Sequence, residues 1–268
     1  ENYFKIRFSP FKFRQDNRKI MTDKENGRMI NSLSSIKGFG RSVSNVLYDL
    51  SNVEFDGFFE FLLKAKEVSL SRTAIEKLVK IDYFSEFGNT TELLMMLEMF
   101  EMLKEGDAKQ VAKEKVVAKF EDIFRDYCEG NRKDGSPAKS YFITDMQTLM
   151  KKIEERIFAL RLPEEPMKEK IKSHIEILGY IDVATNKEED KRKLVVMSVR
   201  QLMGKYSDEP WAYIVTTRSL GTGKNSELTI LSKLYKVFPV LEGDIVYAKT
   251  VQKHKSGYWH LTDYKQIA

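Results

Sequence analysis

A short basic segment contains two glycines whose spacing suits phosphate binding by the polypeptide backbone. Gly38 and Gly40 form a Gly-x-Gly pair, with Lys37 and Arg41 beside them. Glycine reaches backbone conformations that are closed to other residues, and its missing side chain lets an N–H group approach an anion. A helix that begins after Gly40 would present unpaired N–H groups and the positive end of its dipole to the same phosphate. The pattern predicts a phosphate-binding hairpin between two helices, with DNA as the first candidate partner; the alternative is an ordinary glycine-bearing turn.

Apolar residues on both sides of the glycines would hold this hairpin in place. We expect Ile36 and Phe39 to anchor the turn from below. Val43, Val46 and Leu47 recur at helical spacing and predict the following helix. The residues expected to contact DNA here are Lys37, Gly38, Phe39, Gly40, Arg41 and Ser42.

The hairpin and the segments around it resemble a known protein family. Residues from about Phe4 to Met102 resemble the part of bacterial C-family replicative DNA polymerases, the alpha subunit of DNA polymerase III, that forms a tandem helix-hairpin-helix domain. The matching stretches, in order, are Ile6-Arg7-Phe8-Ser9-Pro10, "SLSSIKGFG", "GFFEFLLKA" and "AIEKLVKIDYFSEFGNTTELL". In the last stretch Ile81-Asp82-Tyr83-Phe84 replaces the family's Gly-Ala-Phe core. The resemblance implies duplex binding by the first hairpin and a packing role for the second.

From Lys193 onward the hydrophobic period changes from helical to alternating. Five alternating runs, with a short helical run between the third and fourth, predict a five-stranded OB barrel. This part also resembles the OB domain of the same family, including a strand-turn-strand glycine loop at Leu220–Leu231. The resemblance implies binding of single-stranded DNA.

The barrel segment carries cations and aromatic residues that could contact a nucleic acid. It holds eleven basic and six acidic residues, a net charge of +5. The DNA-binding candidates are Arg200, Tyr213, Arg218, Lys249 and Trp259, within a strip that also includes Thr216, Tyr247 and His260. Because alternation directs about half of a strand's side chains inward, about half of this strip is expected in the core.

Between these segments the sequence predicts helices. One is expected at Thr91–Leu103, a second at Ala108–Tyr127, and a third that begins at Thr144 with a capping box. The predicted fold is α+β and multidomain, with an all-α tandem helix-hairpin-helix domain, a helical connector and a five-stranded OB barrel. The predicted divisions are a basic extended lead-in (1–32), the hairpin domain (33–103), the connector (104–192) and the OB domain (193–268).

The lead-in interleaves cations with aromatic rings. Residues 1–41 contain ten basic and four acidic residues, a net charge of +6, whereas the whole chain carries only +5. The interleaved rings are Tyr3, Phe4, Phe8, Phe11 and Phe13. They could stack on bases, but alternating phenylalanines more often form the buried face of a strand.

A sliding clamp is a further candidate partner. Gln147–Lys151 lies between the hairpin and OB segments, where the resemblance places a clamp-binding motif of a Gln, apolar residues and a closing aromatic. Lys151 stands in place of that aromatic, and a helical pattern already explains Leu149 and Met150.

The sequence argues against catalysis, metal binding, secretion and a membrane partner. A polymerase needs carboxylates that hold two metal ions, and no Asp-x-Asp occurs in the chain. Cys128 has no second cysteine to pair with, the three histidines lack metal-ligand spacing, and no run of 18 apolar residues occurs. We therefore expect a cytoplasmic, non-catalytic chain without a cofactor, and Mg²⁺ only in the active site of a parent polymerase.

These expectations combine into one function with two alternatives. The chain is expected to be the C-terminal DNA-binding part of a DNA polymerase III alpha subunit, and the lack of an initiating Met suggests a piece of a longer protein. The alternatives are a free-standing non-catalytic DNA-binding protein of phage or plasmid type, and a protein-interaction scaffold.

Overall fold

A computed structural model describes residues 7–24, 28–104, 110–127, 138–181, 188–255 and 257–267. The chain forms two compact units, Glu1–Glu165 and Pro166–Ala268. It is an α+β protein that contains a closed barrel of five strands. Tyr3, Phe4 and Cys128 lie outside the described residues, as do the side chains of Arg7 and Phe8.

The first unit begins with a small sheet and continues with helices. Strands β1 (Arg7–Ser9) and β3 (Arg28–Ile30) pair in parallel, and β2 (Met21–Asp23) pairs with β3 in antiparallel fashion. A 3-10 turn at Leu33–Ser35 follows. The next helices are α1 (Arg41–Ser51), α2 (Phe58–Glu67), α3 (Arg72–Lys80) and α4 (Thr90–Lys104).

The rest of the first unit mixes short strands with helices. Strands β4 (Gln110–Ala112) and β5 (Ser140–Phe142) form a two-stranded antiparallel sheet. Helix α5 (Glu121–Tyr127) lies between them in sequence, after 3-10 turns at Lys113–Lys115 and Ala118–Phe120. Helix α6 (Met146–Ala159) packs against both α4 and α5.

Aromatic rings form the centre of the first unit. Phe13 is 1% exposed, and its ring lies 5.3 Å from those of Phe61 and Phe84. Since α2 contributes Phe61 and the segment after α3 contributes Phe84, this cluster ties the lead-in to the helices. Phe11 and Phe13 are therefore core residues, which is the buried alternative considered for the lead-in.

Two predicted helices differ from the structure. The first helix of the Gly38 hairpin is only the 3-10 turn Leu33–Ser35, which follows directly after β3. The helix predicted at 108–127 is wrong for most of its length, because Val111 of β4 is buried against β5 and only Glu121–Tyr127 is α-helical. The helix expected from Thr144 begins at Met146, two residues later than predicted, and its N-cap is Asp145, which accepts a hydrogen bond from Thr148 N at 3.0 Å.

The five strands of the second unit close into a barrel. They are β6 (Lys193–Met203), β7 (Pro210–Ser219), β8 (Asn225–Leu231), β9 (Ile245–Lys253) and β10 (Trp259–Gln266). The order around the barrel is β10-β8-β7-β6-β9, and β10 pairs with β9 and, in parallel, with β8. Five antiparallel-rich strands in this closed order form an OB-like barrel.

Two helices cover the barrel. Helix α8 (Ser232–Val237) lies between β8 and β9 in sequence and packs on β7 and β8. Helix α7 (Met167–Leu178) places Ile171 against Val195 and Ile245 in a second apolar cluster. The barrel core itself contains Val196, Val215, Ile230, Val246 and Leu261.

Candidate nucleic-acid interface

The Gly38 hairpin presents a helix N-terminus at the surface of the first unit. Gly38 has φ of +92°, a left-handed conformation that favours glycine, and Gly40 is the N-cap of α1. The first helical hydrogen bond runs from Ser44 N to Gly40 O at 3.2 Å. The amides of Arg41 and Ser42 precede Ser44 N, the first amide with an intrahelical acceptor, so they are available to an external anion.

The anchoring apolar residues of the hairpin are buried, and its charged residues are exposed. Ile36 and Phe39 are 2% and 6% exposed, so they anchor the turn as predicted. Lys37, Arg41 and Ser42 are exposed. Phe39 can therefore support the site but cannot itself reach a nucleic acid.

The two glycines do not have the same role. Gly40 has φ of −88°, which any residue adopts, and a Cβ there would meet its nearest atom, Ser42 Oγ, at 3.8 Å. The expectation that both glycines need special backbone angles is therefore wrong for Gly40. What its lack of a side chain provides is open space in front of the α1 amides.

A third cation at the hairpin comes from another helix. Lys77 of α3 extends its ammonium to Lys37 O, which accepts a hydrogen bond at 3.3 Å. The same nitrogen would lie 3.7 Å from a Cβ at residue 38. Lys77 was not predicted, because 40 residues separate it from the hairpin and helical spacing alone does not indicate that contact.

The barrel presents a second surface on the outer face of four strands. Arg200, Ile214, Thr229 and His260 are successive register partners across β6, β7, β8 and β10. Their chain neighbours Val199, Val215, Ile230 and Leu261 belong to the core or pack against it, so this row lies on the opposite face of the strands. Arg200 is the exposed member of the row, whereas Thr229 is only 6% exposed. Three interstrand steps of about 4.8 Å make the row about 14 Å long.

Four exposed aromatic rings lie in two loops of the barrel or at the strand starts that follow them, and the sequence prediction missed most of them. Tyr206 in the β6–β7 loop is 91% exposed, and Trp211 at the start of β7 is 53% exposed. Tyr258 in the β9–β10 loop is 65% exposed and Trp259 is 49% exposed. Only Trp259 was predicted; an aromatic residue inside a polar turn segment is the sequence signal that would have found Tyr206 and Tyr258.

Cations lie beside these rings. Lys205 Nζ is 5.3 Å from the centroid of the Tyr206 ring, and Lys253 Nζ is 5.9 Å from that of Trp259. The β6–β7 loop is tied to α8 by Lys236, whose ammonium lies 2.6 Å from a Glu209 carboxylate oxygen and lowers the pKa of Glu209. The His254 and His260 rings stack with centroids 4.9 Å apart, which joins the β9–β10 loop to the outer row.

Tyr213 does not belong to this surface. Its side chain is 8% exposed and its ring stacks on Tyr235 of α8 with centroids 3.6 Å apart. Burial also raises the pKa of Tyr235, whose hydroxyl donates to Val240 O at 2.7 Å. The expectation that Tyr213 is an exposed stacking platform is wrong, because α8 covers the face of β7 that Tyr213 shares with Val215.

The remaining barrel candidates lie in three different environments. Arg200 is exposed on the outer row, and Arg218 is half-buried near the end of β7. Lys249 is exposed and lies 3.1 Å from Asp263. Lys249 and Trp259 both line a cleft at one end of the barrel, which neither Arg200 nor Tyr213 lines.

The apolar residues of the predicted clamp segment lie in the core, whereas Gln147 and Lys151 are exposed. Leu149 is fully buried and Met150 is 6% exposed on the inner face of α6, as the helical pattern alone would require. Within the described part of the chain, no group of three His, Cys, Asp or Glu side chains is arranged to hold a metal ion. None of the described helices is long and apolar enough to cross a membrane.

No protein-family model matches this chain, and no curated protein matches it in sequence.

Proposed function

We propose that the chain is a DNA-binding part of a C-family replicative polymerase. In this proposal the OB-like barrel binds single-stranded DNA and the Gly38 hairpin binds the phosphates of duplex DNA. The observation that carries the proposal is the barrel surface, where four exposed aromatic rings lie in or next to the β6–β7 and β9–β10 loops and cations lie beside two of them. Successive bases stack on such rings, and a positive groove follows the phosphates.

The hairpin supports the duplex part of the proposal. Three cations, Lys37, Arg41 and Lys77, surround the N-terminus of α1. Free amides and the helix dipole add to their attraction for a phosphate. Such contacts bind any DNA sequence, as a replicative enzyme requires.

The family assignment rests on the resemblance of the quoted stretches. One observation fits it in the second hairpin, where Ile81-Asp82-Tyr83-Phe84 stands for a glycine-containing core. Asp82 has φ of +59°, a conformation that glycine adopts most readily, and its carboxylate accepts a hydrogen bond from Thr90 Oγ1 at 3.0 Å. Tyr83 and Phe84 are buried, in keeping with a packing role.

A protein-interaction module is the second candidate, and one observation favours it. Val237, Phe238 and Leu241, at the end of α8 and just after it, are 64%, 55% and 68% exposed. An exposed apolar group of this kind is typical of protein contacts. A protein partner held there would not require the cations of the outer row or of the two loops.

Binding of a fluorescent 12-nucleotide oligothymidine tests the proposal. We expect Trp211→Ala and Tyr258→Ala each to weaken binding by about 1–3 kcal/mol, because each removes a stacking ring. Tyr213→Phe is the matched control on the same strand as Trp211, and it should bind like the parent. The proposal fails if the parent does not bind the oligonucleotide, or if both alanine variants bind it as tightly as the parent does.

A further inference from the structure

We propose that the cleft at one end of the barrel, here called the barrel cleft, holds a single nucleotide of the bound strand. This inference rests on the proposed function and adds a subsite to it. The cleft has a volume of about 360 Å³ and lies between the starts of β6, β8 and β10 and the second half of β9. Pockets for small ligands measure about 300–1,000 Å³. Its size therefore suits one nucleotide.

The walls of the barrel cleft divide into an apolar part and a cationic part. Leu194, Leu228 and Ala248 line it from the barrel core. Trp259 contributes an aromatic ring, whereas Lys191, Arg192 and Lys249 contribute positive charge. Among the described residues that line the cleft, none is acidic. A ligand with a flat ring and a negative group matches this combination better than a purely apolar or a cationic one.

The cations are held on a fixed backbone. Lys191 O accepts a hydrogen bond from Ser219 Oγ at 3.0 Å, and Arg192 O accepts one from Ala248 N at 2.9 Å. These bonds fasten the segment before β6 to both β7 and β9. Because little backbone order must be created on binding, the site is pre-organised for a ligand.

The nucleotide would enter with its base against Trp259 and its phosphate towards the cations. Lys249 lies 3.1 Å from Asp263, and both side chains are about half exposed. Exposed ion pairs of this kind are weak, so a phosphate can compete with the Asp263 carboxylate for Lys249. Lys253, 5.9 Å from the Trp259 ring, adds further positive charge near the base.

Because the chain contains only two tryptophans, NMR of their indole N–H groups can test the inference directly. Trp259 lines the barrel cleft, whereas Trp211 lies at the start of β7 and does not line it. In the full chain labelled with ¹⁵N, the two indole N–H resonances are assigned with Trp211→Phe and Trp259→Phe. Thymidine monophosphate, thymidine and inorganic phosphate are then titrated separately.

We expect thymidine monophosphate to shift the Trp259 resonance saturably and to leave that of Trp211 in place. Thymidine should bind at least tenfold more weakly because it lacks the phosphate, and inorganic phosphate should cause a smaller shift because it cannot stack. Arg192→Ala and Lys249→Ala should each weaken binding at least threefold. Lys233→Ala, an exposed cation of α8, is the matched control and should leave binding unchanged. Arg192→Gln replaces Arg192→Ala if the alanine variant does not fold.

Three results would overturn the inference. They are a shift that grows linearly with nucleotide concentration, equal shifts at both tryptophans, and binding that is unchanged in the Arg192 and Lys249 variants. If oligothymidine binds but the nucleotide does not, the cleft proposal falls and the proposed function stands. If the nucleotide binds but oligothymidine does not, the proposed function fails, and with it the claim that the nucleotide belongs to a bound strand.

Discussion

A single carboxylate connects two helices of the first unit and explains why residue 57 is glycine. Glu154 of α6 accepts a hydrogen bond from Phe58 N, at the start of α2, at 2.7 Å. A Cβ at Gly57 would lie 2.5 Å from Glu154 Oε2. The amides at the N-terminus of α2 thus bind an anion from within the protein, whereas those of α1 are exposed.

We expect Gly57→Ala to destabilise the protein by about 1–3 kcal/mol, because the new methyl group must displace Glu154 and leave α2 amides without their acceptor. Denaturant unfolding measures this loss. In a Glu154→Ala background the same substitution should cost much less, since the displaced group is already gone. Equal costs in the two backgrounds would show that Gly57 is required for another reason.

The pH dependence of stability provides a second prediction at this residue. Burial raises the pKa of the Glu154 carboxyl above its ordinary value of 4.5, although amides of α2 oppose the shift. The folded state therefore favours the protonated form, and stability is lost as the pH rises from 4.5 through the raised pKa. Glu154→Gln, which keeps an acceptor for Phe58 N, should gain stability relative to the parent across that range and keep the gain above it. If the free energy of unfolding of Glu154→Gln differed from that of the parent by the same amount at every pH, this prediction would be contradicted.

At the scale of elements, the Gly38 hairpin contains residues that are close in sequence and one residue from a distant helix. The turn at Gly38, the buried anchors and α1 could be predicted from sequence, because each depends on neighbours within a few residues. The role of Lys77 could not be predicted, because Lys77 reaches the hairpin through the packing of α3.

The helix prediction at 108–127 was wrong for a related reason. Val111 pairs with Tyr141, about 30 residues away in sequence, and no local pattern contains that contact.

Duplex binding tests the hairpin. Gly40→Leu should weaken binding similarly for all DNA sequences, because it fills the space in front of the α1 amides while the fold tolerates a side chain there. Lys37→Ala, Arg41→Ala and Lys77→Ala should each lower the slope of log affinity against log salt by about one. Affinity is measured by fluorescence anisotropy with two unrelated duplexes.

Lys152→Ala, an exposed cation of α6, is the control for these charge changes. It should leave both the affinity and the salt slope unchanged. If Gly40→Leu folds normally and binds duplex DNA as well as the parent at every salt concentration, the hairpin is only a turn.

At the scale of the whole molecule, the barrel shows what an alternating sequence pattern can predict and what it cannot. Alternation predicted all five strands, because side-chain direction along a strand has a period of two. A separate helical run predicted the helix between the third and fourth strands. Alternation could not decide which face α8 covers. Tyr213 and Trp211 are two residues apart on β7, yet α8 buries one and leaves the other exposed. The strands that carry the candidate residues were therefore predicted correctly, whereas the exposure of Tyr213 was not.

The purified chain should not extend a primed template. The sequence contains no Asp-x-Asp pair to hold two metal ions for phosphoryl transfer. With Mg²⁺ and all four nucleotides, a primer-extension gel should show only the starting primer, while a competent polymerase extends it in a parallel reaction. Template-directed incorporation by the pure chain would overturn this part of the account.

The salt dependence of single-strand binding tests the central claim most directly. Labelled 12-nucleotide oligothymidine is titrated with the full chain at a series of NaCl concentrations. If cations of the barrel follow the phosphates, log affinity should fall linearly with log salt, by about 0.7 for each phosphate neutralised. An oligonucleotide that does not bind at low salt, or an affinity that is independent of salt, would contradict the claim that this chain binds DNA.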